Sequence, residues 1–317
     1  MKIQLLGSGL ANQIRHYIFV RFAERYRPED RWFFDDSYFF AIREHNGYEL
    51  EKIFGLKLNL LSNYYDKDTW QEIIRRKKMG IGTAQILSDM GMPIVMFEGR
   101  LFIDQEPFSG TIITPNYSHL GFHTEYLEIP GENVYYHAEW SNKKWFSAYE
   151  KENRQELTFP ALSSKRNLEY ADMIRGCMSV GIHVRQGDFV NVGWALPPEL
   201  YKKGCIAALE RFPDVHFFVF SDDLDWCRQH EDELGFNLAP ATYVVGNRAP
   251  DDYIDMQLLS MCRGIVRNGL SSFSQVAGWL DEDLKLEIKL RGKTKEQMKA
   301  IGATTDNFNE LQIIEYR

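Results

Sequence analysis

Residues 180–189 read Val-Gly-Ile-His-Val-Arg-Gln-Gly-Asp-Phe, an apolar run that ends in His183, Arg185 and Asp188. The run reads as a buried strand that delivers a cation and a carboxylate to its own carboxyl edge. In open α/β sheets that edge holds ligands where strand order reverses, and an arginine fork there suits a phosphate oxygen. An Arg–Asp pair that only ties down a loop fits the same ten residues equally well, so the rest of the chain decides.

Outward from this strand the pattern alternates. Helices are expected at Leu168–Arg175, Pro198–Arg211, Leu224–Leu234, Tyr253–Met261 and Phe273–Leu280, and strands at Ser179–Val184, Val215–Phe220, Thr242–Val245 and Gly264–Arg267. Strands alternating with helices of this length imply right-handed βαβ crossovers and a regular parallel sheet, a Rossmann-type domain. After Lys293 the tail reads as a polar helix followed by a short strand, Leu311–Glu315.

The first half is a less regular α/β region. A strand at Ile3–Leu6, a glycine turn and a helix at Ala11–Arg25 open it. Helices near Leu50–Phe54, Thr69–Lys78 and Lys144–Leu157 follow, with strands at Ile94–Phe97 and Val134–Ala138. The sequence F-P-A-L-S-S at Phe159–Ser164 interrupts the pattern, so the expected domains are 1–160 and 161–317.

No apolar run approaches the roughly 20 residues of a membrane span, and Met1–Leu10 reads as a first strand rather than a signal peptide. The cytoplasm is therefore the expected compartment, with a peripheral place on the inner membrane face also open. Cys177, Cys205, Cys227 and Cys262 are too widely spaced for a zinc knot or a disulfide framework and read as reduced, buried thiols. A net charge of −8 argues against a general nucleic-acid surface but leaves room for a local phosphate pocket.

Three polar edges follow three strands of the second half: His183/Arg185/Asp188, Ser221/Asp222/Asp223 and Ser271–Gln275. Serines opening a helix offer hydroxyls and free backbone N–H groups, an anion-binding arrangement. Capping accounts for one serine, whereas three with Gln275 favour a phosphate. Gly7-Ser8-Gly9 lacks the third glycine of a dinucleotide fingerprint, since Asn12 stands there; Asn12 and Gln13 read either as turn closers or as exposed amides of a cleft. Asp223/Asp225 and Asp281/Asp283 have D-x-D spacing, but solvated or helix-capping carboxylates are the better reading. Trp140, Trp145, Phe146, Tyr135 and Tyr136 fit a sugar platform or, more simply, a core.

The order G-L-A-N-Q (Gly9–Gln13), H-V-R-Q-G-D (His183–Asp188), F-F-V-F-S-D-D (Phe217–Asp223), then D-M-Q-L-L-S-M-C and S-S-F-S-Q-V-A-G-W-L (within Asp255–Leu280) resembles the bacterial-type α-1,2-fucosyltransferases, glycosyltransferase family 11-like proteins. The resemblance implies a GT-B-like fold of two facing Rossmann-type domains, with the acceptor on the first and GDP-fucose on the second. It implies inversion at the anomeric carbon, no cofactor and no metal, and a galactose-terminated glycan acceptor. Carried over, Arg185 contacts the β-phosphate and Asp188 orients it. His183 and Asp255 lie near the guanine, Ser221 and Asp222 line the donor site, and Ser272, Phe273, Ser274 and Gln275 cradle the diphosphate and fucose. Asn12 and Gln13 face the fucose.

This chain departs from the family pattern at Gln186, where a second arginine is usual, at Leu270 and Gln275 in the serine motif, and at Tyr135–Glu139. The residues leave His137, Glu139 and Asp36 as candidates for a general base. A metal-dependent transferase using Asp223 and Asp225, and a nucleotide-sugar-binding protein of weak catalysis, are the competing expectations.

Overall fold

The computed structural model describes residues 1–42, 44–99, 107–115, 121–292 and 310–316. The chain divides into two compact units, Met1–Pro160 and Ala161–Arg317.

The first unit is built on five strands: β1 (Lys2–Leu5), β2 (Trp32–Asp35), β3 (Ile94–Glu98), β4 (Thr111–Ile113) and β5 (Asn133–His137). Their order is β2-β1-β5-β3-β4, with all pairs parallel. The chain leaves β1 towards β2 and later returns on the other side of β1 as β5, so strand order reverses between β1 and β5. The helix Leu10–Tyr26 buries side chains on nearly every side. Its Phe19 stacks on Trp140 with centroids 3.5 Å apart, and the edges of Trp32 and Trp145 close on the same ring. Trp140, Trp145, Phe146, Tyr135 and Tyr136 are all buried core, which removes the sugar-platform reading.

Two strands here escaped the sequence pattern. β2 (Trp-Phe-Phe-Asp) is buried at all four positions and shows no alternation, and β4 is only three residues long. The helix expected over Lys144–Leu157 is two helices, Lys143–Ser147 and Glu150–Glu156. The Asn153 side chain donates to the Phe146 carbonyl at 2.8 Å across the break, a side-chain partner of the kind that lets a helix end.

The second unit holds β6 (Met178–Val184), β7 (Val215–Ser221), β8 (Ala241–Tyr243), β9 (Gly264–Asn268), β10 (Leu286–Arg291) and β11 (Glu310–Glu315). The order is β11-β10-β9-β6-β7-β8. Five strands are parallel, but β11 runs antiparallel to β10, so the sheet is mixed at one edge rather than wholly parallel. β10 alternates buried and half-buried residues yet follows the acidic turn Asp281–Asp283 and went unread. The tail helix expected after Lys293 lies outside the described residues. The helix expected over Leu224–Leu234 breaks at His230, whose imidazole Nδ1 lies 2.9 Å from the Trp226 carbonyl.

From β6 the chain steps out to β7 and β8, then returns to the opposite side of β6 as β9. Strand order therefore reverses between β6 and β9, and the carboxyl ends of these two strands lie side by side, with His183 paired to Arg267 in register. That is the crevice position at which open α/β sheets bind ligands. All three fully buried thiols, Cys205, Cys227 and Cys262, belong to this unit, and Cys177 is half-buried. No helix among the described residues is long and apolar enough to cross a membrane.

Gly181 lets the helix Tyr253–Leu259 approach β6, because a Cβ there would meet Leu259 Cδ1 at 2.3 Å and Cys262 Sγ at 3.2 Å. Gly181→Val should therefore cost about 1–3 kcal/mol of stability from overpacking. Urea unfolding measures it, and an unchanged midpoint would contradict the packing described.

Candidate active site

At the carboxyl end of β6 the backbone turns at Gln186 (φ −108°, ψ −80°) into the short helix Gly187–Asn191. Arg185, whose side chain is 32% exposed, is held by two carboxylates. Its Nε donates to Asp188 Oδ1 at 2.8 Å, and its guanidinium NH1 lies 3.2 Å from Asp222 Oδ2. Asp222, just past β7, accepts the Gln186 backbone N–H through its other oxygen at 2.9 Å. This approach needs a glycine at 187: a Cβ there would sit 2.5 Å from Asp222 Oδ2. Burial pushes the Asp222 carboxyl up, while the Gln186 N–H and the Arg185 cation pull it back.

His183 is buried beneath this arginine. Its ring stacks on Phe273 with centroids 5.3 Å apart, and its Nδ1 lies 3.5 Å from Ser271 Oγ. Burial first, and then the cations of Arg185 and Arg267, hold its pKa down to about 3, so the imidazole is neutral. Arg267 is itself buried and is held by Glu287 at 2.7 Å. Ser271 is the N-cap of the helix Ser272–Leu280 and makes no side-chain capping bond. Ser272, Phe273 and Gln275 are partly exposed at this edge, whereas Ser274 is fully buried and its hydroxyl has no hydrogen-bond partner among the described residues.

The structure thus brings together His183, Arg185, Asp188, Asp222 and the start of the helix after β9. Ser221 accepts the Asp223 N–H at 3.0 Å beside them. Asp255 belongs to a separate chain of hydrogen bonds, in which Asn167 donates to Asn247 at 2.9 Å and Asn247 to Asp255 at 2.7 Å. Burial, aided by Asp252, raises the Asp255 carboxyl to about 7. The D-x-D pair is otherwise engaged: Asp223 caps the helix Leu224–Gln229 by accepting the Trp226 N–H at 2.9 Å, and Asp225 pairs with Arg228 at 2.8 Å.

In the first unit, the Gly7-Ser8-Gly9 turn places its left-handed residue at Ser8 (φ 64°), not at a glycine. Asn12 is partly exposed and donates to Ser8 Oγ at 3.1 Å. Gln13 does not present itself to a ligand. It is fully buried, and its amide serves the Ser8 and Gly47 carbonyls at 2.9 and 2.8 Å and the Glu49 N–H at 2.9 Å. It clamps the turn.

The three base candidates differ sharply. His137, 1% exposed, has its Nδ1 2.7 Å from the buried Glu98 carboxylate. Asp36, 2% exposed, accepts both the N–H and the hydroxyl of Ser62, and burial raises it to about 6. Glu139 keeps a quarter of its side chain exposed and lies 3.5 Å from the buried His16.

The glycosyl transferase family 11 model matches residues 96–307. The chain belongs to glycosyl transferase family 11. This family 11 chain is 34% identical over 157 residues to an α-1,2-colitosyltransferase of Escherichia coli, a match covering 47% of the chain and about half, 52%, of that relative's length. Across its whole length it is similar to the fucosyltransferase NodZ from Bradyrhizobium, with a TM-score of 0.51 and 13% identity over 100% of this chain and 99% of that one. The NodZ α-1,6-fucosyltransferase soaked with GDP-fucose gives the same TM-score at 14% identity and the same coverage. At such identity the likeness concerns the fold, α/β and GT-B-like.

Sequence reasoning missed His16, Arg267 and the Gln186 N–H. Of these only His16 carried a signal, as a histidine four residues after Asn12 and so on the same helix face.

In the unfolded chain an imidazole protonates near 6.5, and in the fold His183 does so only at about 3. The unfolded form therefore binds more protons between these values, and this contribution to stability, complete above 6.5, fades as pH falls towards 3. His183→Asn should flatten the fall of urea-unfolding free energy over that window; a slope equal to wild type would contradict a neutral His183.

Proposed function

We propose that this family 11 protein is an inverting, metal-independent fucosyltransferase that moves fucose from GDP-fucose to a galactoside hydroxyl in α-1,2 linkage. The single observation that carries the reading is Arg185, fixed by Asp188 and Asp222 at the edge where strand order reverses and beside the uncapped helix start at Ser271. In displacement at the anomeric carbon, charge develops on the departing diphosphate. A cation already oriented by the fold stabilises that charge with little reorganisation. Backbone N–H groups and hydroxyls at Ser272 supply further donors, as a helix N-terminus does for phosphate.

His183 and Asp255 are assigned to the guanine side. A neutral imidazole stacked on Phe273 and a carboxyl with an amide partner are hydrogen-bonding surfaces of the kind a purine base needs. Gln186 removes the second family arginine, and the buried Arg267 beneath His183 is spent on Glu287. Arg185 is therefore the one cation assigned to the diphosphate.

A second reading concerns the sugar. The 34% identical relative transfers colitose in α-1,2 linkage, and colitose is fucose without its 3-hydroxyl, so the donor here is equally well GDP-colitose. Both readings use the same diphosphate site.

Transfer from GDP-fucose and GDP-colitose to a panel of β-galactosides tests the proposal. Arg185→Ala should lower kcat at least about a hundredfold with an unchanged circular dichroism spectrum; full activity would remove the proposed role. Rates should survive chelation by EDTA, whereas loss restored by Mn²⁺ would support a metal-dependent enzyme. Heat of GDP-fucose binding without sugar release or transfer would support a binding protein.

A further inference from the structure

We infer that Asn268 is a positioning residue of the diphosphate site, its one amide tying the loop that steadies Arg185 to the turn that opens the helix Ser272–Leu280; the role rests on the diphosphate reading above. Asn268 is the last residue of β9 and is 1% exposed. It therefore stands at the carboxyl edge where β9 lies beside β6, between the strand that runs into Arg185 and the helix start at Ser271.

The two ends of its amide serve different elements. Oδ1 accepts the Leu270 N–H at 2.9 Å, and the Asn268 carbonyl accepts the Ser271 N–H at 3.1 Å, so the residue shapes the turn into the helix. Nδ2 donates to the Trp194 carbonyl at 2.9 Å, 74 positions earlier in the chain. The Trp194 and Ala195 N–H groups both return to the Phe189 carbonyl, at 2.8 and 3.1 Å, and the Phe189 ring packs edge-on against the Trp194 indole. The Arg185 guanidinium carbon lies 5.9 Å from the centre of the Phe189 ring, and Asp188, which accepts from its Nε, is the residue before.

A strand end needs only the first of these bonds, since a side chain that accepts the N–H two residues on already makes a complete local turn. The bond to Trp194 is what a local turn does not explain. Arg185 and the donors at Ser272 come from different strands and act together only if they face the same phosphates. Asn268 joins the two sides through one buried group. An amide offers both a donor and an acceptor, whereas a carboxylate of the same shape would set an acceptor against the Trp194 carbonyl.

The test is calorimetry of GDP and GMP, which differ by the β-phosphate, with wild type, Asn268→Ser, Arg185→Ala and the double variant. A serine hydroxyl can still accept the Leu270 N–H, as in the weaker form of the same turn, but it is too short to reach Trp194 and brings no charge. Asn268→Ser should weaken GDP about tenfold, the scale of one lost buried hydrogen bond, and GMP by no more than about twofold. With Arg185 already removed, adding Asn268→Ser should cost GDP about twofold at most, because the deleted bond acts through that arginine. Asn268→Thr, which fills more of the vacated space, takes the place of the serine variant if that one does not fold. An equal loss for GDP and GMP, an unchanged GDP affinity in a folded variant, or a full loss that persists without Arg185 would overturn the assignment. If wild type binds GDP no more tightly than GMP, or Arg185→Ala binds GDP as wild type does, the diphosphate reading itself fails and the positioning role with it.

Discussion

The hold of two carboxylates on one guanidinium is the constraint around which the second unit is arranged. Arg185 ends a strand, Asp188 opens the next helical turn, and Asp222 reaches in from the end of β7. The Asp222 contact depends on the parallel pairing of β6 and β7, which brings Val184 level with Ser221, and on the absence of a side chain at Gly187. A free arginine at one-third exposure samples many rotamers. Tied through Nε and NH1, it presents a fixed fork edge, and charge-assisted bonds of this kind are both shorter and stronger than neutral ones.

Beneath that fork the fold keeps charge in check. His183 stays neutral because burial and two neighbouring cations disfavour its proton, and Arg267 is neutralised by Glu287, to which Tyr316 also donates at 2.8 Å. β10 thus does more than extend the sheet: it supplies Glu287, the carboxylate that holds Arg267, and Tyr316, one residue past β11, hydrogen-bonds that carboxylate. The first unit is built differently, on an aromatic core in which Gln4 accepts the Trp140 indole N–H at 2.9 Å and Tyr135 donates to Asp35 at 2.6 Å.

Most of the second unit was legible because its strands are continuous apolar runs bounded by polar turns. Helix Pro198–Arg211 matched its expected ends, and the chemistry of the β6 edge stood in the letters H-V-R-Q-G-D. What escaped was what depends on distance along the chain. Nothing local says that Asp222 will lie on Arg185 36 positions away from the Gln186 N–H it accepts, or that β11 will turn antiparallel. Gln13 shows the converse. Its place in a family-like motif suggested a ligand contact, while tertiary structure used every arm of its amide to brace the Ser8 turn. Trp32–Asp35 was unreadable for a simpler reason: a strand buried on both faces has no alternation to detect.

The central claim is that Arg185 and the helix start at Ser271 form a diphosphate site at the β6/β9 edge. A crystal structure of the protein with GDP tests it most directly. The account predicts β-phosphate oxygens within hydrogen-bonding distance of the Arg185 guanidinium and of donors at Ser272, with Asp188 and Asp222 still in place. A diphosphate bound away from this edge, for instance at the Asp223–Asp225 helix, would contradict it.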